Sequence, residues 1–263
     1  MLVHPQFDPV VISIGPLSIH WYGVMYVLAF FTGLYLGKYR ARQTNSGWSE
    51  SQVDDVLLYI VAGVIVGGRL GYALFYGWEH WTQDIFYLFK IWEGGMSFHG
   101  GLIGVVVAIV LFARNTKKSI LHVGDFIAPL IPTGLMFGRL GNFINQELWG
   151  RATDLPWGMI FPAAMDNIPR HPSPLYQALG EGLFLFLILW WFSSKQRPTG
   201  SVAGLFLVGY AVFRIIAEIF REPDAHIGFL MTPFLTMGMI LSIPMFLAGL
   251  VLIIFGYRNN KSQ

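Results

Sequence analysis

The residues best suited to chemistry lie between Phe137 and Gly150, in the stretch FGRLGNFINQELWG. An arginine, two asparagines, a glutamine and a glutamate there adjoin some of the most apolar sequence in the chain. Burying such groups unpaired in hydrocarbon costs several kcal/mol each. On a helix, Arg139, Asn142 and Gln146 fall within about 60° of one another, with Glu147 on the adjoining flank. They could line one cavity. A polar helix end emerging into water would also account for Asn145 to Glu147, though not for Arg139.

A second constellation closes the run GYAVFRIIAEIFREPD, where Tyr210, Arg214, Glu218 and Arg221 share an arc of about 80°. Arg214 and Glu218 are spaced for an i, i+4 ion pair, which could be purely structural. Two arginines flanking one glutamate leave a spare positive charge, however. A guanidinium fork matches phosphate oxygens, so that charge facing a membrane cavity points to an anionic lipid headgroup.

The third candidate is His99, set between paired glycines in EGGMSFHGGLIG. A neutral imidazole bonded to a carbonyl is the plain alternative, but the glycines leave room for a substrate, and an imidazole titrating near neutrality suits a general base. The histidines form no HxxxH or HExxH pattern, so no metal site is expected. With no cysteine among the 263 residues, any thiol chemistry must use the thiol of another molecule.

These side chains need elements to hold them, and the composition says in what solvent. Hydrophobic residues make up 54% and charged residues only 12% of the chain, against about 25% charged in soluble domains. An all-α membrane protein is expected, with one continuous domain over residues 1–263. Stretches of about 20 apolar residues, enough to cross the hydrocarbon core, lie near 19–37, 55–76, 96–113, 124–144, 175–192, 201–220 and 236–256. The fourth of these seven is interrupted by Pro129 and Pro132. The start of the chain lacks a basic region of signal-peptide type, so the first apolar segment is expected to stay as a membrane helix.

Ten Lys and Arg residues fall in the loops on one side of this arrangement and four on the other. By the positive-inside rule the N-terminus lies outside, the C-terminus lies in the cytoplasm, and loops near 77–95, 145–174 and 221–235 face outward. The remaining three, Arg69, Arg139 and Arg214, lie within even-numbered spans toward their outer ends and could converge at one depth. The near balance of 17 basic and 15 acidic residues offers no footprint for nucleic acid. HWYG (His20 to Gly23) reads as an interfacial anchor, and Glu79 to Trp92 as an amphipathic segment in the interface.

The run GRLGNFINQELWG resembles throughout the signature of the bacterial prolipoprotein diacylglyceryl transferases. HWYG, GGRLGY, GGMSFHGG, DFIAPLIP, RHPSPLY and FREPD are similar to that family's other motifs, in the family's order, so the resemblance covers nearly the whole chain. The segment Arg151 to Arg170 departs from it, being shorter than in some members, and Gln177 stands where some relatives carry an acid.

The resemblance implies a multi-pass enzyme of the bacterial inner membrane, active toward the periplasm. It implies transfer of the diacylglyceryl group of phosphatidylglycerol to the lipobox cysteine in a prolipoprotein signal peptide, forming a thioether and releasing glycerol phosphate. It carries important roles to Tyr22, His99, Arg139, Asn142, Glu147, Arg214 and Glu218, with Arg69, Asn145, Tyr210 and Arg221 in support. On this reading Arg139 and Arg214 clamp the phosphate, and His99 or an Arg-polarised carboxylate takes the thiol proton. No cofactor, metal or nucleotide is expected. The alternative from another class is a lipid or organic-anion transporter with an arginine-lined cavity; the lack of repeat symmetry speaks against it.

Overall fold

The computed structural model describes residues 2–15, 17–44, 46–90, 94–223 and 235–260. Most of the expected outward loop at 221–235 therefore lies outside the described residues, as does Trp92. In chain order the elements are β1 (Leu2–Val3), β2 (Val10–Ile14), β3 (Leu17–His20), α1 (Trp21–Ala41), α2 (Glu50–Phe75), α3 (Trp78–Gln83), α4 (Phe98–Asn115), α5 (Ile120–Ile127), α6 (Ile131–Ile144), β4 (Met159–Ile160), β5 (Pro169–Arg170), α7 (Ser173–Gln177), α8 (Leu185–Phe192), α9 (Ser201–Phe220) and α10 (Met237–Asn260). A π-helical stretch, Ala178–Phe184, joins α7 to α8 into one span.

Helices carry the fold, as expected of an all-α membrane protein. Among the described residues five helices are long and apolar enough to cross a membrane: α2, α4, the span Ser173–Phe192, α9 and α10. The pair α5 and α6, bent by 51° at its break, makes a sixth candidate if the two form one span; Pro129 and Pro132 interrupt the turn there as the sequence predicts. The count thus differs from the expected seven. The remaining expected span is α1, which has the length, 21 residues, but is diluted by Tyr22, Tyr26, Tyr35 and three glycines.

The chain forms two compact units, Met1–Tyr35 with Asp125–Gln263, and Leu36–Gly124. In the Leu36–Gly124 unit, α2 and α4 are the packed pair. Gly63, Gly67 and Gly71 recur every fourth residue and meet Gly100 and Gly104. A Cβ at Gly63 would lie 2.6 Å from the Gly104 carbonyl oxygen, and one at Gly71 2.7 Å from Gly100 Cα. Only glycine allows this approach, by which membrane helices gain close backbone packing. Ser49 starts α2 with a capping box to Gln52, satisfying two orphan amides.

In the other unit, α6 packs on the Ser173–Phe192 span and α9 on α10. Asp125 of α5 accepts hydrogen bonds from Gly200 N (2.6 Å) and Ala203 N (2.8 Å). A distant carboxylate thus caps α9, where charge and free amides favour it.

Short strands, which the apolar pattern did not predict, hold the polar segments. The hairpin of β2 and β3 pairs Ser13 with Ser18. β1 runs parallel to β4, and β4 antiparallel to β5. Beside β1, the ring of His4 is buried; its Nε2 donates to Phe143 O (2.8 Å) and its Nδ1 accepts from Gln6 N (3.1 Å). The N-terminal segment is thereby fastened to the last turn of α6.

Candidate active site

The signature run ends α6 in a Schellman turn. The Glu147 amide bonds to Asn142 O (2.8 Å) and the Gln146 amide to Phe143 O (3.1 Å), with Gln146 in the left-handed region at φ 55°. This pairing satisfies carbonyls the helix leaves open. It also corrects the projection of Gln146 onto the face of Arg139 and Asn142: the helix stops at Ile144, and the Gln146 side chain accepts from Ala163 N (3.1 Å). The turn brings Glu147 back over the helix end, where its carboxylate accepts from Asn142 Nδ2 (3.0 Å) and Asn145 Nδ2 (3.1 Å). Asn142 is buried and Glu147 exposed, so two amides hold one carboxylate at the edge of the bundle. Tyr22 lies against the same helix, since a Cβ at Gly141 would meet its ring at 2.9 Å.

One turn earlier on α6, Arg139 Nη2 approaches Glu181 Oε2 (3.4 Å), while Glu181 Oε1 lies 3.7 Å from Arg214 Nη1. Arg214 Nη2 pairs with Glu218 Oε1 at 2.5 Å, and Arg221 Nη1 approaches the same oxygen at 3.7 Å. Tyr210 is within electrostatic reach of Arg139, Glu181, Arg214 and Glu218. Gly238 on α10 makes room for Glu218, because a Cβ there would come within 2.7 Å of its Cδ. Among the described residues the linked network joins three guanidinium groups and two carboxylates. Arg139 and Arg214 keep 18% and 14% of their side chains exposed, and Arg214 Nη1 has no hydrogen-bond acceptor. A partly desolvated set of guanidinium donors of this kind is fit to bind an anion.

Glu181 was missed in the sequence. It is fully buried in QALGEGLFLF, and a carboxylate within an apolar span is a signal by itself. It stands in the π-helical stretch, a distortion found often at functional sites.

The loop beyond α6 is stitched to the end of α9. Gly150 bridges to Arg221, and Arg151 donates from Nε to Arg221 O (3.0 Å) and from Nη2 to Glu218 O (3.2 Å). Arg170 Nη2 reaches Asp166 (2.5 Å) and Arg170 Nη1 reaches Glu222 (3.4 Å). The arginine holds the Asp166 carboxyl below the usual carboxylate range, assisted by the Ile168 amide. An apolar cavity of about 470 Å³ in the same unit is lined by Trp157, Tyr176, Phe184, Phe213 and Phe220 among others. At its polar edge the Tyr176 hydroxyl accepts from Trp157 Nε1 (2.8 Å) and shares a hydrogen bond with His171 Nδ1 (3.1 Å).

A match to the prolipoprotein diacylglyceryl transferase family model spans residues 9–255. The chain belongs to the prolipoprotein diacylglyceryl transferase family. It is 57% identical to the phosphatidylglycerol--prolipoprotein diacylglyceryl transferase of Cupriavidus pinatubonensis, over 99% of this chain and 95% of that protein. Proteins of the same name from Oleidesulfovibrio alaskensis and Pseudoalteromonas translucida are 56% and 54% identical, each over at least 99% of this chain and 97% of their own length.

The remaining expected site residues belong to the Leu36–Gly124 unit. Arg69, buried at 3% exposure, gives its guanidinium to carbonyls of its own unit: Leu88 (3.2 Å), Tyr87 (2.6 Å), Lys90 (2.9 Å), Gly95 (3.1 Å) and Gly94. It also lies over the Tyr87 ring, 4.6 Å from the centroid. This geometry is that of a loop staple. His99 is exposed in the first turn of α4, just after the N-cap Ser97, whose hydroxyl accepts from Gly100 N (3.2 Å).

Proposed function

We propose that this protein transfers the diacylglyceryl group of phosphatidylglycerol to the cysteine thiol of a prolipoprotein signal peptide, in the bacterial inner membrane with its active site toward the periplasm. Membership of the family and the full-length likeness to the three transferases support the reaction. The observation that carries the site is the buried network in which Arg139 and Arg214 share Glu181, with Arg214 Nη1 lacking a hydrogen-bond acceptor.

In this reading Arg139 and Arg214 hold the phosphate, and Arg221 and Tyr210 complete its surroundings. The thiol sulfur attacks the glyceryl carbon that carries the phosphate ester; a C–S bond forms, the C–O bond breaks, and glycerol phosphate leaves with the bonding electrons. Charge growing on the leaving phosphate is what fixed guanidinium donors stabilise. A thiol of pKa about 8.5 is mostly protonated at neutral pH and needs a base. His99 and Glu147 are the two candidates. Asn142, Asn145 and Tyr22 orient the polar headgroup beside Glu147, and the apolar cavity receives hydrocarbon. Seven crossings, with α1 as the first and the bent pair as the fourth, give the expected outside N-terminus.

The test is mass spectrometry of a lipobox peptide incubated with detergent-purified protein and phosphatidylglycerol. A diacylglyceryl mass gain is expected, abolished in Arg139→Gln. No gain from folded protein with any of several anionic lipids would overturn the transferase reading and leave lipid transport as the alternative. The pH profiles of His99→Gln and Glu147→Gln separate the two bases, because loss of the true base removes the rising acidic limb.

A further inference from the structure

We propose that Gln177 and Glu181 form a hydroxyl-binding subsite that selects lipids whose phosphate carries a hydroxylated headgroup. The proposal rests on the transferase reading above, which puts the phosphate at Arg139 and Arg214.

Ser173, Gln177 and Glu181 recur every fourth residue along the span Ser173–Phe192, and each is 0% exposed. A polar column of this kind inside a membrane span is expensive unless its groups are paired. The pairing is incomplete. Gln177 Nε2 donates to Ser173 Oγ (3.2 Å), but Gln177 Oε1 is buried without a hydrogen-bond partner, and so is Glu181 Oε1. Turning the amide over would move the same deficit to its other end. Native proteins satisfy nearly all buried polar atoms, so the unpartnered Gln177 oxygen, and four residues on a Glu181 oxygen held only by the 3.7 Å approach of Arg214, ask for a ligand.

The surroundings define that ligand. A second phosphate would be repelled by the Glu181 carboxylate. An ammonium headgroup would be opposed by Arg139 and Arg214, which lie 3.4 and 3.7 Å from the same carboxylate. A neutral hydroxyl meets neither objection. It donates to Glu181, and its oxygen then accepts from the Gln177 amide once that amide is turned over, with Nε2 toward the ligand and Oε1 accepting from the Ser173 hydroxyl. A site built to bond a hydroxyl strongly rejects the analogue without one, because its own buried groups are then left unpaired.

The experiment compares phosphatidylglycerol with phosphatidylpropanol, which keeps the anionic diester and three-carbon headgroup but has no hydroxyl. Transfer to a lipobox peptide is measured for wild type and Gln177→Met. In parallel, native mass spectrometry of the full-length protein reads competition between the two lipids without peptide. Wild type is expected to prefer phosphatidylglycerol by roughly 100-fold or more, and Gln177→Met to reduce that ratio about tenfold, as loss of one hydrogen bond predicts. An unchanged ratio in Gln177→Met overturns the subsite. Should that variant fail to fold, wild type decides: equal use of the two lipids overturns the proposal, and the expected preference supports it. If wild type transfers nothing, the transferase reading fails, while the lipid competition still tests the subsite by the same ratios.

Discussion

Glu181 touches two arginines from two different helices: one carboxylate oxygen lies 3.4 Å from Arg139 Nη2 and the other 3.7 Å from Arg214 Nη1. It fixes the separation of two cations that would otherwise repel across a low-dielectric interior. Removing one partner from a buried ion pair typically costs about 3–5 kcal/mol, because the other charge is left uncompensated. Glu181→Gln should therefore lower the melting temperature in detergent and reduce transfer at least ~10-fold. Wild-type rate and stability in this variant would contradict the shared-carboxylate arrangement.

Replacing either guanidinium by an ammonium tests the phosphate clamp. Lysine keeps the charge but loses the planar fork that matches two phosphate oxygens. Arg139→Lys and Arg214→Lys are each expected to lower kcat by about 10²-fold, the scale for loss of one preorganised donor. Steady-state rates on a lipobox peptide, with folding checked by size exclusion, give the answer.

Arg69 should behave differently. Five hydrogen bonds tie its guanidinium to carbonyls at Tyr87, Leu88, Lys90, Gly94 and Gly95. Arg69→Gln leaves most of these carbonyls unpaired, so the expected defect is increased proteolysis between residues 84 and 96. A large loss of kcat in protein that resists protease as well as wild type would return Arg69 to the substrate.

The α2 and α4 contact depends on having no side chains. At Gly63 a Cβ would lie 2.6 Å from the Gly104 carbonyl oxygen and 2.9 Å from Ala108 Cβ. Gly63→Leu should force the helices apart and lower the melting temperature by several degrees or prevent folding, as overpacking by about 1–3 kcal/mol or more predicts. A thermal melt in detergent checks this directly.

The docking of the N-terminal segment should depend on pH. Burial pushes the His4 imidazole below its ordinary pKa of 6.5, with the bond to Phe143 O acting weakly the other way. The fold thus favours neutral His4. Its contribution to stability is complete above pH 6.5 and declines as pH falls from there through the depressed folded value. Hydrogen-exchange protection of the β1 and β4 amides, corrected for the intrinsic pH dependence of exchange, should fall on acidification below about 6.5. In His4→Gln that loss of protection should be much reduced; an identical pH response would assign it elsewhere, His171 being the other histidine lowered by burial.

The sequence by itself determined the membrane class, the break at Pro129 and Pro132, and the family, because these depend on composition, local backbone chemistry and an ordered set of motifs. It also paired Arg214 with Glu218, since i, i+4 neighbours on one helix meet whatever surrounds them. The tertiary structure decided what those groups face. Helical projection extended α6 through Gln146, whereas a left-handed residue at that position ends the helix and turns Glu147 back onto Asn142 and Asn145. Three intramembrane arginines looked alike in sequence; packing gives Arg69 to loop carbonyls and joins Arg139 to Arg214 through Glu181. That carboxylate lies 42 residues from Arg139, and no local periodicity couples positions so far apart. Only the packing of α6, the π-widened span and α9 sets the two arginines on opposite oxygens of one acid.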